Sequence, residues 1–154
     1  MASFQIAVAL TLQHEGGYVD NPADPGGATN MGVEQRDVPD IPIRTLTVEQ
    51  ATAFYSANYW KPFYSQINDQ AGASKLFDMG VLFGITEAVE QIQRVLQIEP
   101  DGDFGPETLC YVNEAGSGLL AAYKAAMLQR ARAITEERPS EIIFLNGWMN
   151  RINS

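Results

Sequence analysis

The sequence predicts a mainly α-helical domain of the α+β type, with six or seven helices and one small β-hairpin near residues 18–35. Three observations lead there. Apolar residues recur at helical spacing through most of the chain, and residues that start and stop helices bracket those runs. One stretch, "HEGGYVDNPADPGGATNMGVEQ" from His14 to Gln35, is instead dense in glycine, proline and aspartate, the composition of backbone held in turns.

Ser3 caps a first helix whose apolar residues Phe4, Ile6, Val8, Leu10 and Leu12 lead to Glu15, where Gly16 and Gly17 stop it. In "TVEQATAFYSANYWKPF" Thr47 and Gln50 form a capping box, with Ala51, Phe54, Tyr55 and Tyr59 at helical spacing before Pro62. A third helix covers "ASKLFDMGVLFG". Thr86 caps a fourth, in which Val89, Ile92, Val95 and Leu96 make the apolar stripe. After the turn "EPDGDFGPET", Pro106 opens a helix that runs to Gly116, and Ser117 starts the long "GLLAAYKAAMLQRARAITEER". Pro139 and Ser140 reset the chain for a last helix, "EIIFLNGWMNRI".

The chain has 154 residues, enough for one core without staples. Nineteen acidic against ten basic residues give a net charge of -9, which argues against nucleic acid or anionic lipid as partner. One cysteine, Cys110, and one histidine, His14, assemble neither an internal disulfide nor a zinc site, and Cys110 is expected as a small buried hydrophobe. Asp101 and Asp103 in "DGDFG" resemble half a calcium loop whose other ligand positions are absent, so no metal and no cofactor is expected. The amino-terminal apolar run has no basic region before it and is broken by Gln5 and Gln13, unlike a signal peptide, and no stretch is long enough to span a bilayer.

Glu15, Asp20, Asp24 and Glu34 are the carboxylates of the turn-rich stretch. Glycoside cleavage is the reaction class that most directly needs two carboxyl groups across a cleft, one of them protonated. A carboxyl at a helix carboxyl terminus faces the negative end of the dipole, and partial burial beside Tyr18 acts the same way. Both favour the protonated form that a general acid needs. Asp20 reads as a turn residue before Asn21-Pro22, and Asp24 in Asp-Pro-Gly-Gly is open to the same turn reading. Tyr18, Tyr59, Trp60 and Tyr64 are candidates to stack on sugar faces, whereas Trp148 reads as core packing of the last helix.

The stretch "EGGYVDNPADPGGATNMGV" resembles the amino-terminal motif of glycoside hydrolase family 108, muramidases found among phage endolysins and bacterial secretion-associated lysozymes. The resemblance continues through Tyr59-Trp60, "LFDMGVLFG" and "DGDFGPETL". "QIQRVLQIEPDGDFGPET" is similar to the peptidoglycan-binding module of that family, and "FLNGWMNR" to its ending. It implies a lysozyme-like fold with a muramidase region over residues 1–92 and a peptidoglycan-binding-like region over 93–154, packed as one unit. It implies Glu15 as the catalytic acid, with Asp24 nine residues on and Thr29 holding the attacking water; Asn30 joins Tyr18, Tyr59 and Trp60 as a substrate-side candidate.

An inverting arrangement of this kind separates the two carboxyl groups by roughly 6.5 to 9.5 Å. Two positions depart from the family's pattern: Glu34 stands where relatives have threonine, and Leu82 where they have asparagine. Glu34 is either a substitute second carboxylate or an exposed strand residue. The partner expected is the glycan strand of peptidoglycan, met by a monomer that is made in the host cytoplasm and acts at the cell wall after holin-type release. A lytic transglycosylase and a wall-binding or structural phage protein without catalysis are the competing readings.

Overall fold

The computed structural model describes residues 1–20 and 27–154. The helices follow the expected order: α1 (Phe4–His14), α2 (Val48–Tyr59), α3 (Gln70–Phe83), α4 (Ile85–Leu96), α5 (Pro106–Ala115), α6 (Leu119–Glu137) and α7 (Leu145–Asn153). Between α1 and α2 lies an antiparallel hairpin of β1 (Thr29–Asn30) and β2 (Val33–Glu34), with Thr29 opposite Glu34 and Asn30 opposite Val33. A further bridge joins Val19 to Thr29. The arrangement is lysozyme-like: helices carry the core, and the small sheet stands beside the end of α1.

Local chemistry sets most boundaries. The Thr47/Gln50 capping box forms with both reciprocal hydrogen bonds, and Pro106 occupies the first turn of α5. The structure differs from the sequence reading in four places. Ser3 sits at the N-cap of α1 without a side-chain cap; its backbone is held by the Gln70 amide, whose Oε1 accepts from Ser3 N at 2.6 Å. Helix α3 begins three residues earlier than expected because the Asp69 carboxylate accepts from Gly72 N. Gly84, at φ +94°, both ends α3 and precedes α4, so Thr86 lies inside α4 and does not cap it. The residues after Pro139 first wind as a 3-10 turn, Pro139–Phe144, before α7.

The core is built on α3, in which every residue from Ala73 to Gly80 is buried. Around it gather Val8 of α1, Tyr55 of α2, Val89 and Ile92 of α4, Tyr123 and Met127 of α6, and Ile152 of α7. Gln93 is buried but fully engaged: its Nε2 donates to Asp101 Oδ1, Asp103 O and Thr108 Oγ1, and its Oε1 accepts from Gly102 N. It pins the "DGDFG" turn to α4. Cys110, expected in the interior, is exposed, because α5 turns Thr108 and Val112 inward and leaves Cys110 on its outer face. Glu114 beside it pushes the thiol above its ordinary range. Among the described residues no helix is long and apolar enough to cross a membrane.

Candidate active site

Glu15 is the residue on which α1 ends. Its N–H still bonds to Thr11 O at 3.3 Å, while its ψ of 137° carries the following chain out of the helix. The carboxylate is then gripped from two sides. Arg151 of α7 places Nη1 2.8 Å from Glu15 Oε1, and the tip of the hairpin closes on Oε2.

That tip is a two-residue turn in which Met31 (φ 50°) and Gly32 (φ 75°) are both left-handed, the turn type that suits the twist of paired strands. Gly32 is required twice over. A side chain there would be strained by its φ, and its Cβ would overlap the Glu15 carboxylate and the Tyr55 hydroxyl. Tyr55 Oη donates to Met31 O at 2.9 Å, and Met31 N donates to Gly16 O at 3.0 Å, so the turn is fastened to both α2 and the end of α1. Burial, then the negative charge of Glu15, raises the Tyr55 phenol well above the ordinary tyrosine range and keeps it a donor.

Behind Glu15 lies a buried charge network joining three helices. Arg151 directs Nε and Nη2 to Asp78 Oδ1 at 3.2 and 2.9 Å, and Thr11 Oγ1 donates to the same oxygen at 2.9 Å. Lys75 Nζ donates to Arg151 O at 2.8 Å and stands 3.8 Å from Asp78 Oδ2, too far for a hydrogen bond. Asp78 is 4% exposed, and its Oδ2 has no hydrogen-bond partner among the described residues. Burial pulls the Lys75 ammonium below its ordinary range, and the Asp78 charge opposes that pull. Two cations thus face two carboxylates, and Arg151 gives two of its three contacts to Asp78 and one to Glu15.

The residues expected at the substrate take different positions. Asp24 lies outside the described residues. Thr29 exchanges both backbone hydrogen bonds with Val19 at 2.8 Å, so its hydroxyl is not needed by the sheet. Its cross-strand partner Glu34 shares its face of the hairpin and is ion-paired with Arg36 at 2.5 Å. The opposite face carries Val33 and Asn30 into the core, and the Asn30 amide donates to Ile43 O at 3.0 Å. Asn30 therefore serves the fold.

Tyr59 lies in the field of Asp37, Glu15 and Glu34, which after burial raise its phenol above the ordinary range. Tyr18 presents one ring face to the Arg44 guanidinium at 4.7 Å and donates to Asp20 Oδ2 at 3.2 Å. Trp60 is committed to packing: it meets Phe4, Tyr64 and Phe77 at 5.4 to 5.7 Å, and its Nε1 donates to Ser65 Oγ. Tyr64, the fourth aromatic candidate, is wholly buried.

Sequence reasoning missed Arg151, Asp78, Thr11 and Tyr55. A signal existed for the first two: Lys75 and Asp78 interrupt an otherwise apolar helix stripe, and buried charges need partners elsewhere in the chain.

The chain matches two protein families in tandem: Glycosyl hydrolase 108 over residues 8–84 and Predicted Peptidoglycan domain over residues 87–153. No curated protein matches it. Among solved structures it is similar to that of Brucella abortus SagA, with 28% identity and a TM-score of 0.78 over 97% of this chain and 89% of that one.

Proposed function

This chain belongs to the glycosyl hydrolase 108 family, a lysozyme-type glycoside hydrolase of peptidoglycan, and from that premise we propose that it is an N-acetylmuramidase with Glu15 as its general acid. It cleaves the β-1,4 bond between N-acetylmuramic acid and N-acetylglucosamine, and it works without a cofactor. The observation that carries this reading is the fixing of a single accessible carboxylate between Arg151 and the hairpin tip, with 16% of its side chain exposed. Asp78 takes two of the three contacts of Arg151, so the guanidinium keeps a buried partner while Glu15 takes part in proton transfer.

In the mechanism Glu15 protonates the leaving glycosidic oxygen, and Asp24 and Thr29 hold the water that attacks the opposite face of the sugar. Thr29 is suited to this because its backbone is paired with Val19 and, among the described residues, the sheet does not use its hydroxyl. Tyr18 and Tyr59 flank the substrate. Residues 1–92 act as the muramidase region and residues 93–154 as the peptidoglycan-binding-like region of one working unit and one monomer; the support is that Arg151 reaches Glu15 from the far end of the chain. A phage endolysin acting in host lysis is the setting we favour. A bacterial secretion-associated muramidase is the second setting, and the similar structure comes from a bacterium, Brucella abortus.

Digestion of purified sacculi, followed by turbidity and by mass spectrometry of the fragments, tests the proposal. Wild type releases fragments with reducing, hydrated muramic ends, and Glu15→Gln loses about 10²-fold or more of the rate. Anhydromuramic ends would replace the hydrolase by a transglycosylase. Equal rates for wild type and Glu15→Gln would remove Glu15 from the chemistry.

A further inference from the structure

We propose that the cavity walled by Leu82 and Trp148 is a sugar subsite that takes the acetamido side of an N-acetylated hexosamine, with Phe144 extending it outward. The inference rests on the glycan-cleaving reading above and gives part of that substrate a place. The cavity, of about 300 Å³, is lined by His14, Leu82, Gly147, Trp148, Asn150 and Arg151. Arg151 is also the residue that holds Glu15 at 2.8 Å, so a ligand seated there lies one side chain from the acid.

The wall is rigid on its inner side and open on its outer side. Phe83 meets Trp148 edge-on at 5.4 Å and fixes its ring, and Phe144 lies nearly parallel to Trp148 at 6.1 Å and 28°. Phe144 is 52% exposed, and Ile142 and Ile143 beside it are 55% and 75% exposed. Contiguous apolar surface of this kind on a soluble protein marks an interaction site. Phe144 joins this surface to the cavity through its stack on Trp148, and Arg151 joins the cavity to Glu15, which points to the glycan strand as the occupant.

The chemistry of the lining selects the acetamido group. A pyranose ring presents an apolar C–H face that suits an aromatic platform. The acetamido substituent adds a methyl, which Leu82 and the Trp148 edge can cover, and an amide, for which the Asn150 side chain supplies a donor and an acceptor on the same rim. Beyond its chain neighbours and the backbone of α7, no atom of the described residues lies within 4 Å of where a Cβ on Gly147 would stand, so α7 leaves space for the substituent.

The test uses the full-length Glu15→Gln variant, which leaves the glycan intact, titrated with the hexamer of N-acetylglucosamine. The chain has two tryptophans, so fluorescence is read in a Glu15→Gln protein that also carries Trp60→Phe, in which Trp148 is the one remaining tryptophan. We expect a saturable change, binding about tenfold weaker for the de-N-acetylated hexamer, and binding weakened about tenfold by Leu82→Asp and about threefold by Phe144→Ala, read by calorimetry. The exposed Phe144 can be changed without loss of folding if Leu82→Asp is not tolerated. Absence of a saturable change, equal affinity for the two hexamers, or no effect of Phe144→Ala would overturn the subsite. A protein that Glu15→Gln inactivates but whose Trp148 stays silent loses the subsite alone; one that still lyses walls as Glu15→Gln loses the acid assignment instead.

Discussion

Replacing Arg151 by methionine keeps the volume and apolar contacts of the side chain and removes the charge shared by Glu15 and Asp78. Asp78, 4% exposed, is left with Thr11 as its hydrogen-bond donor and with Lys75 at 3.8 Å. Breaking a buried pair in this way costs about 3–5 kcal/mol, chiefly the desolvation of the abandoned charge, and the nearby lysine places the expectation near the lower figure. For a chain of this length about 3 kcal/mol lowers the melting temperature by roughly 6–12 °C. Glu15 loses its clamp as well, and a misplacement of about 1 Å in a catalytic group can lower the rate about 10²-fold. Calorimetric melting of wild type, Arg151→Met, Asp78→Asn and the double variant closes a cycle. Removing the orphaned charge should restore part of the loss, with a coupling of at least about 1 kcal/mol. If Arg151→Met melts within about 2 °C of wild type, or the coupling is below about 0.5 kcal/mol, the network does not hold the acid as described.

Gly32→Ala should destabilise the protein by about 1–2 kcal/mol from its left-handed φ alone, and lower wall-digesting activity further because the new methyl displaces Glu15 and Tyr55; full activity with unchanged melting would contradict the hairpin contact. Thr29→Ala should lower the digestion rate by about 10-fold or more at unchanged melting temperature, since the hydroxyl is free of the sheet; an unchanged rate removes Thr29 from the water-holding role. Glu34→Thr removes a surface ion pair with Arg36 and should change stability by less than about 1 kcal/mol in chemical denaturation. Tyr55, Tyr64 and Tyr123 are buried and keep their protons well above the ordinary tyrosine range, burial being the first cause in each. Their unfolded forms ionise near about pH 10, so their contribution is fully present below that pH. It is lost as pH rises from about 10 towards the higher folded values, by about 4 kcal/mol per pH unit for three protons. Melting between about pH 9 and 11 checks this; a flat profile would refute it.

The helices were legible because their signals are local. The Thr47/Gln50 box and Pro106 each specify a helix start within one turn, and both were found where the residues place them. The last helix was misplaced because Pro139 and Ser140 look like a start signal, whereas the run after them winds as a 3-10 turn until Leu145. Glu15 could be singled out because a helix end and two glycines fix its setting. Its clamp could not, since Thr11 and Asp78 are 67 positions apart and Asp78 and Arg151 are 73, so no local pattern links them. Asn30 and Trp60 carry a structural duty that the sequence did not show. Their neighbours in sequence suggested the cleft, and only packing reveals that the amide of one answers Ile43 and the ring of the other fills the space between Phe4 and Phe77.

The reach of α7 back to the end of α1 bears on how such enzymes can be recombined. Two tandem family matches suggest that the regions could be exchanged like beads on a string, with a new wall-binding half grafted after the first. Arg151 forbids a free exchange, because the half that is swapped carries the counter-charge of the half that stays. A chimera must bring an arginine in the same register, or a redesigned Asp78, together with its new specificity. Each half expressed alone is expected to fold poorly, because Asp78 of one and Arg151 of the other would lose their buried partners.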